Sequence, residues 1–386
     1  MSPDFAELSP TIALAERISE TKARNPNVLD FTAGEPRYTT DSSIINACVD
    51  SIRNGDTHYC DSQGMESLRD SALRRYCGAV TDLSVDNVSI FPSAKAAIAT
   101  LMYVLAGCGR HVVIVGPTWP TYSSICKLNH TDFSYAYPYY EKNAGGFVNR
   151  IMEKVREDTE LVVICNPNNP TGRVLAKQWL EQIVVACSKM GIYVLLDEIY
   201  SELTDHHNFV SATKWISSHN VVVVNGFSKS FAMTGWRLGL AFFPGVLQKN
   251  ILAVVHATFS CCPKFVQVAG DYALNHRWHT VKNAATIYAS QREIIRESTA
   301  GSSISLDEYC CSTIYAWMRL NNSSMPATAF ARKLLERSSV AVIPGAVFGE
   351  NEDNHFRMSL TVSEPELAEG IARIKYMANL IGEHNA

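Results

Sequence analysis

Apolar residues along this chain fall into two rhythms. Five short runs, HVVIV (111–115), LVVIC (161–165), YVLLD (193–197), VVVVN (221–225) and LGLAFF (238–243), are dominated by Val, Ile and Leu. Runs this short and this uniformly apolar predict strands buried on both faces of a largely parallel sheet. Between them, residues 94–107, 122–128 and 174–191 repeat their apolar positions at helical spacing, the last closing on Gly191. Strand and helix alternate, so the middle of the chain predicts an α/β architecture with helices on both faces.

The ends follow a different pattern. Residues 1–44 hold few strand-like runs. From 264 to 300 the spacing predicts one long helix, followed by STIYAWMRL (312–320), a helix at 329–338, VAVIPG (340–345), HFRMSL (355–360) and a last helix from Glu364. We therefore expect a large α/β domain over residues 45–275 and a smaller α+β domain assembled from 1–44 and 276–386.

Composition narrows the function classes. With 386 residues, 47% of them apolar and 19% charged, the chain can bury a large core and does not read as disordered. A net charge of −4 without a long run of one sign suggests neither a nucleic-acid nor a membrane-surface partner. No apolar stretch approaches the ~18 residues that a membrane span needs. The start, MSPDFAELSP, lacks a basic region followed by an apolar one, so a cytoplasmic protein is expected. The 11 cysteines are scattered, and the close pairs (Cys261–Cys262, Cys310–Cys311) are adjacent rather than CxxC, so neither a metal site nor a disulfide framework is expected.

Candidate chemistry follows the strands. HVVIV leads to GPTWPTY (116–122), LVVIC to NPNNPTG (166–172), YVLL to Asp197 and Tyr200, and VVVV to Asn225 and then Lys229 in NGFSKSFAMTGWRLG (225–239). Ligands of open α/β sheets bind beyond the carboxyl ends of the strands. Four strand ends thus bring a Trp, an Asn, an Asp with a Tyr, and a Lys to one rim. A lysine can form a Schiff base, and a carboxylate can hold a pyridine nitrogen protonated. The helix start at SAK (93–95), together with Arg237, can bind a phosphate.

These motifs, with LSPTIAL (8–14), FTAGEP (31–36), HYCDSQGMESLR (58–69), PSAKAA (92–97), LLDEIY (195–200), PGAVFG (344–349) and FRMSL (356–360), run nearly end to end. In combination they resemble the fold-type I pyridoxal-phosphate enzymes, in the class I/II, aspartate aminotransferase-like branch. The resemblance implies a mostly parallel, mixed seven-stranded sheet flanked by helices, and a homodimer with shared active sites. It implies pyridoxal 5'-phosphate as cofactor, with an L-α-amino acid and a 2-oxo acid as substrates. Lys229 would carry the Schiff base and shuttle the proton. Asp197 would pair with the ring nitrogen, Asn169 and Tyr200 would bond the ring hydroxyl, and Trp119 would stack on the ring. The phosphate would take backbone N–H groups at Ser93, Ala94 and Lys95 and the side chains of Ser228 and Arg237. Tyr59 would reach the neighbouring subunit's phosphate. Arg357, helped by the Gly34 backbone, would grip the substrate carboxylate.

Each residue also has a plainer reading. Lys229 is a surface charge, Asp197 a helix cap, Asn169 a turn residue, Trp119 and Tyr59 packing, and Arg357 an ion pair. Ser93 stands where the family commonly has glycine, Arg37 and Tyr38 where Asp and Phe are common, and Cys261 and Cys262 where small polar residues are frequent. These departures keep a second outcome open: a lyase, cyclase or oxygen-dependent oxidase working with the same cofactor. A DNA-binding regulator of this superfamily is a third reading. The short N-terminal segment and mildly acidic charge argue against it.

Overall fold

The computed structural model describes residue 18 and residues 20–78, 82–204, 209–321 and 324–383. The LSPTIAL motif therefore lies outside the described residues. In chain order the strands are β1 (Leu29–Asp30), β2 (Val88–Phe91), β3 (His111–Val115), β4 (Asp132–Ala136), β5 (Thr159–Cys165), β6 (Tyr193–Asp197), β7 (Val221–Gly226), β8 (Gly239–Phe242), β9 (Ile304–Leu306), β10 (Tyr315–Leu320), β11 (Val340–Ala341), β12 (Ile343–Pro344) and β13 (His355–Ser359). The helices that matter below are α1 (Ser42–Arg53), α2 (Glu66–Tyr76), α3 (Ala94–Leu105), α4 (Thr121–Leu128), α5 (Ala144–Met152), α6 (Lys177–Lys189), α7 (Gln248–Thr258), α8 (Lys264–His276) and α9 (Trp278–Thr299).

Seven strands form one sheet in the order β2-β8-β7-β6-β5-β3-β4. β3 to β7 pair in parallel, while β8 runs antiparallel to both β2 and β7, which makes the sheet mixed. The apolar runs explain its centre: β3 and β7 are buried at every position, because helices cover both faces. Register pairs such as Val162 with Val194 and Leu195 with Val222 stack branched side chains across neighbouring strands. A second, antiparallel sheet runs β12-β13-β10-β9, and a two-residue parallel ladder joins β1 to β11.

The segment expected as one helix over 264–300 is two helices. Arg277 leaves the helical region at φ −123° and ψ 25°, dividing α8 from α9. Its guanidinium is drawn sideways. It donates to Ser43 Oγ in the first turn of α1, lies 3.3 Å from the capping Asp41 and donates to Tyr272 Oη at 3.1 Å. Helical periodicity on either side of that residue could not show the tertiary pull. The helix expected from 174 begins only at Lys177, since Leu175 gives its N–H to Asn166 Oδ1 at 2.9 Å. Gly191, just beyond its end, takes the left-handed conformation at φ 77°.

Candidate active site

β3, β5, β6 and β7 are consecutive neighbours in the sheet, and the loops after their carboxyl ends meet over one cavity of about 650 Å³. Gly34, Ser93, Ala94, Lys95, Trp119, Asn169, Asp197, Tyr200, Ser228, Lys229, Arg237 and Arg357 all line it. Tyr59 does not; it is 90% exposed. Tyr122, Tyr315 and Thr32 also line the cavity, although their roles were not read from the sequence.

One end of the cavity collects positive charge. Ser93 caps α3, its Oγ accepting the Ala96 N–H at 3.2 Å, and its backbone sits at φ 114°. The first N–H groups of a helix have no carbonyl partner within it, so those of Ala94 and Lys95 face an anion-ready end. Lys95 and Arg237 complete that end. Burial lowers the Lys95 amine, and the neighbouring Arg237 and Lys229 charges lower it further. β8 presses against this turn from beneath. A Cβ on Gly239 would lie 2.2 Å from Ala94 N and 2.4 Å from the Ser93 carbonyl carbon, so only glycine fits there.

Asp197 ends β6 and is almost wholly buried. Tyr122 Oη donates to its Oδ2 at 2.7 Å and the Ile199 N–H to its Oδ1 at 3.2 Å. Burial nevertheless pushes the carboxyl above its usual range, against those two donors and the Lys229 charge. Tyr122 lies one helical turn beyond Trp119, and the two rings meet edge to face at 5.6 Å. That i, i+3 spacing in GPTWPTY was the available signal for Tyr122. The indole of Trp119 also lies 5.0 Å beneath the Lys95 ammonium.

Lys229 follows β7. Burial lowers its amine below that of a free lysine. Tyr315 and Glu35 pull it up, while Arg357 and Arg237 push it down. Its Nζ donates to the Gly34 carbonyl at 2.5 Å, so that carbonyl is engaged by the lysine in this structure.

At the far end, β13 carries Arg357. Its Nη1 donates to Asn169 Oδ1 at 3.0 Å and its Nη2 to the Thr32 carbonyl at 3.2 Å. The guanidinium carbon lies 4.0 Å from the Tyr315 ring centre and 4.9 Å from that of Phe348. Its Nε is buried without a partner, a donor left over for an anion. Tyr200 Oη donates to Tyr315 Oη at 3.3 Å. Arg37, by contrast, is paired with Glu366 outside the cavity.

The sequence model of the family "Aminotransferase class I and II" matches residues 26–374. The chain belongs to the class I and II aminotransferases. This aminotransferase is 32% identical over 329 residues to an aspartate aminotransferase of Thermococcus kodakarensis, covering 85% of this chain and 83% of that one. It is 28% identical over 392 residues to an aspartate aminotransferase of Musicola paradisiaca, covering 98% and 95%. An aspartate aminotransferase structure from Thermotoga maritima superposes with a TM-score of 0.87 at 25% identity, covering 97% of this chain and 98% of the other.

The family is known to use pyridoxal phosphate, and the donor set of this aminotransferase fits it. The cluster of Lys95, Arg237 and a helix start suits a phosphate. The buried Asp197 carboxylate is held mainly by a phenol, so a protonated ring nitrogen would supply the cation it lacks. The depressed Lys229 amine suits an aldehyde.

Proposed function

We propose that this aminotransferase moves the amino group of an L-α-amino acid to a 2-oxo acid, with pyridoxal 5'-phosphate held at Lys229. When bound, that cofactor supplies an aldehyde for Schiff-base exchange and a ring that accepts electrons from the substrate's α-carbon. The observation that carries the reading is the joint placement of a half-buried lysine with a depressed pKa, a buried aspartate and the cationic helix start around one cavity.

The protein's own residues then have distinct tasks. Lys95, Arg237, Ser228 and the first N–H groups of α3 anchor the phosphate. Asp197, oriented by Tyr122, keeps the ring nitrogen protonated, and Trp119 covers one ring face. Lys229, more readily neutral than a free lysine, would take the proton from the α-carbon and return it to the carbon on the far side of the transferred nitrogen. Tyr200 and Asn169 bond the ring hydroxyl. Arg357 receives the substrate carboxylate on the side where its Nε lacks a partner, and Asn169 and Thr32 fix its fork.

The reading extends to a cytoplasmic homodimer in which Tyr59 serves the neighbouring site. Its exposure in a single chain supports that role. Among the described residues, no helix is long and apolar enough to cross a membrane. The division into residues 45–275 against 1–44 and 276–386 belongs to the same reading, supported by the break at Arg277.

Incubation with single amino acids, without an oxo acid, tests the function. Transfer halts after one equivalent of oxo acid per site, with the cofactor left in its amine form. Continued turnover would instead identify a lyase, cyclase or oxidase. Borohydride reduction followed by peptide mapping should place the cofactor on Lys229, and an unmodified peptide would refute that assignment.

A further inference from the structure

Next to the cavity, but outside it, lies a buried cluster that the proposed transfer chemistry does not use. His355 begins β13, two residues before Arg357, so both side chains leave the strand on one face. The imidazole is stacked between Trp317, at 5.1 Å and 7°, and Tyr140, at 5.9 Å and 16°. Its edges meet two carboxylates. Nδ1 lies 3.2 Å from Glu352 Oε2 and Nε2 lies 3.6 Å from Asp307 Oδ2, ion-pair distances at which neither ring nitrogen is aligned for a hydrogen bond. Tyr140 Oη donates to Glu352 Oε2 at 2.7 Å and accepts from Trp317 Nε1 at 3.3 Å. All three charged groups are buried. A neutral imidazole has one N–H and one lone pair, so one carboxylate would face a lone pair. Only the imidazolium carries a charge that both carboxylates attract.

The cluster connects to the grip on substrate through a short strip of chain. Residues 345–352 fold back on themselves so closely that a Cβ on Gly345 would lie 2.1 Å from the Glu352 carbonyl oxygen. Phe348, within that strip, meets Trp317 edge-on at 5.9 Å and lies 4.9 Å from the Arg357 guanidinium. Its carbonyl accepts the Thr118 N–H at 3.0 Å, next to Trp119. One strip thus walls Arg357 and touches the loop of Trp119, and its end is held by the pairing of Glu352 with His355.

We propose that His355, clamped as a cation between Glu352 and Asp307, is a positioning residue for the carboxylate grip of Arg357. This rests on the assignment of Arg357 to the substrate carboxylate. Loss of the imidazolium proton leaves two buried carboxylates facing a neutral ring, a costly arrangement that the strip relieves by moving, and Arg357 loses its wall. Burial acts against the charged ring, but the two carboxylates outweigh it and hold the imidazole above its ordinary value. The other titratable groups around the cluster do not compete. Burial pushes the Tyr140 phenol up and that of Tyr137 up to about 12, so both stay neutral. Arg173, whose field reaches Asp307, stays charged despite a downward push from burial.

The test uses cofactor-loaded protein and two probes, propionate and 3-phenylpropionate, which carry a carboxylate but no amine. Their dissociation constants are followed spectroscopically from about pH 6 to about pH 9, bracketing the histidine range. Titration of the cofactor-bound lysine is common to all variants and cancels between them. We expect His355→Phe, which keeps the stack, to remove a weakening of about fivefold seen in the parent as pH rises. Glu352→Gln, which keeps the size, should move its midpoint to lower pH and covers the case in which His355→Phe fails to fold. A parent-like pH dependence in the variants overturns the proposal. Arg357→Gln separates the two levels. If it leaves the probes' affinity unchanged, the carboxylate assignment itself is wrong. If it weakens them while the other variants keep the parent curve, only the role of His355 falls.

Discussion

At the scale of single residues, the site depends on making an amine and a carboxylate uncomfortable in opposite senses. Burial lowers Lys229 and raises Asp197, and each is ready for a partner that relieves it. Lys229→Ala should retain cofactor through the phosphate contacts yet lose transfer by about 10³-fold or more, measured as single-turnover rates. Ser93 carries a different cost. Its φ of 114° is strained for any residue with a Cβ, by about 1–3 kcal/mol, while its cap contributes only tenths over glycine. Ser93→Gly should therefore stabilise the fold by about 1 kcal/mol, read from denaturant midpoints.

At the scale of elements, the tightest fit is between β8 and the start of α3. Gly239→Ala drives a methyl group into the backbone of Ser93 and Ala94, and should cost about 1–3 kcal/mol and weaken cofactor binding with it. Equilibrium unfolding and cofactor titration on the same variant would show both losses. Much of this level was readable in advance. Five apolar runs marked β3, β5, β6, β7 and β8, because strands buried on both faces leave little room for polar positions. β4 escaped notice because only its last residue is buried, so DFSYA has no apolar run to read. β2 is buried at every position, but Ser89 interrupts VSIF, so it shows no continuous apolar run. In the site, Lys229, Asp197, Asn169 and Trp119 stand at strand ends, where order along the chain maps onto order in space. Tyr315 and Thr32 arrive from distant segments, and the contact of Tyr315 with Tyr200 spans 115 positions that no local pattern connects.

At the scale of the whole molecule, stability should depend on pH through buried groups of unlike sign. Burial pushes the Glu198 carboxyl up to about 8, opposed by the Ala212 N–H and Ser211 and reinforced by Asp197 and Glu202. Its folded-state value exceeds the unfolded one, so the folded chain binds the extra proton and stability falls as pH rises from about 4.5 to about 8. The raised His355 acts in the same direction, its contribution present below about pH 6.5 and lost as pH climbs through the folded value. The depressed Lys229 acts in reverse, favouring the fold as pH rises toward the free-lysine value. Glu198→Gln should flatten the descending limb, gaining roughly 1–4 kcal/mol at about pH 8. A pH series of denaturation curves checks this, and an unchanged slope would remove Glu198 from the account.

Tyr59 is 90% exposed and does not line its own chain's cavity. On the proposed homodimer, a solitary copy is then half an enzyme, and activity per milligram should collapse on dilution below the dissociation threshold. Mixing chains that carry Tyr59→Phe with chains that carry Lys229→Ala should regenerate one intact centre per hybrid, whereas neither stock alone recovers. Two damaged proteins would thus rescue each other across a boundary that neither can furnish by itself.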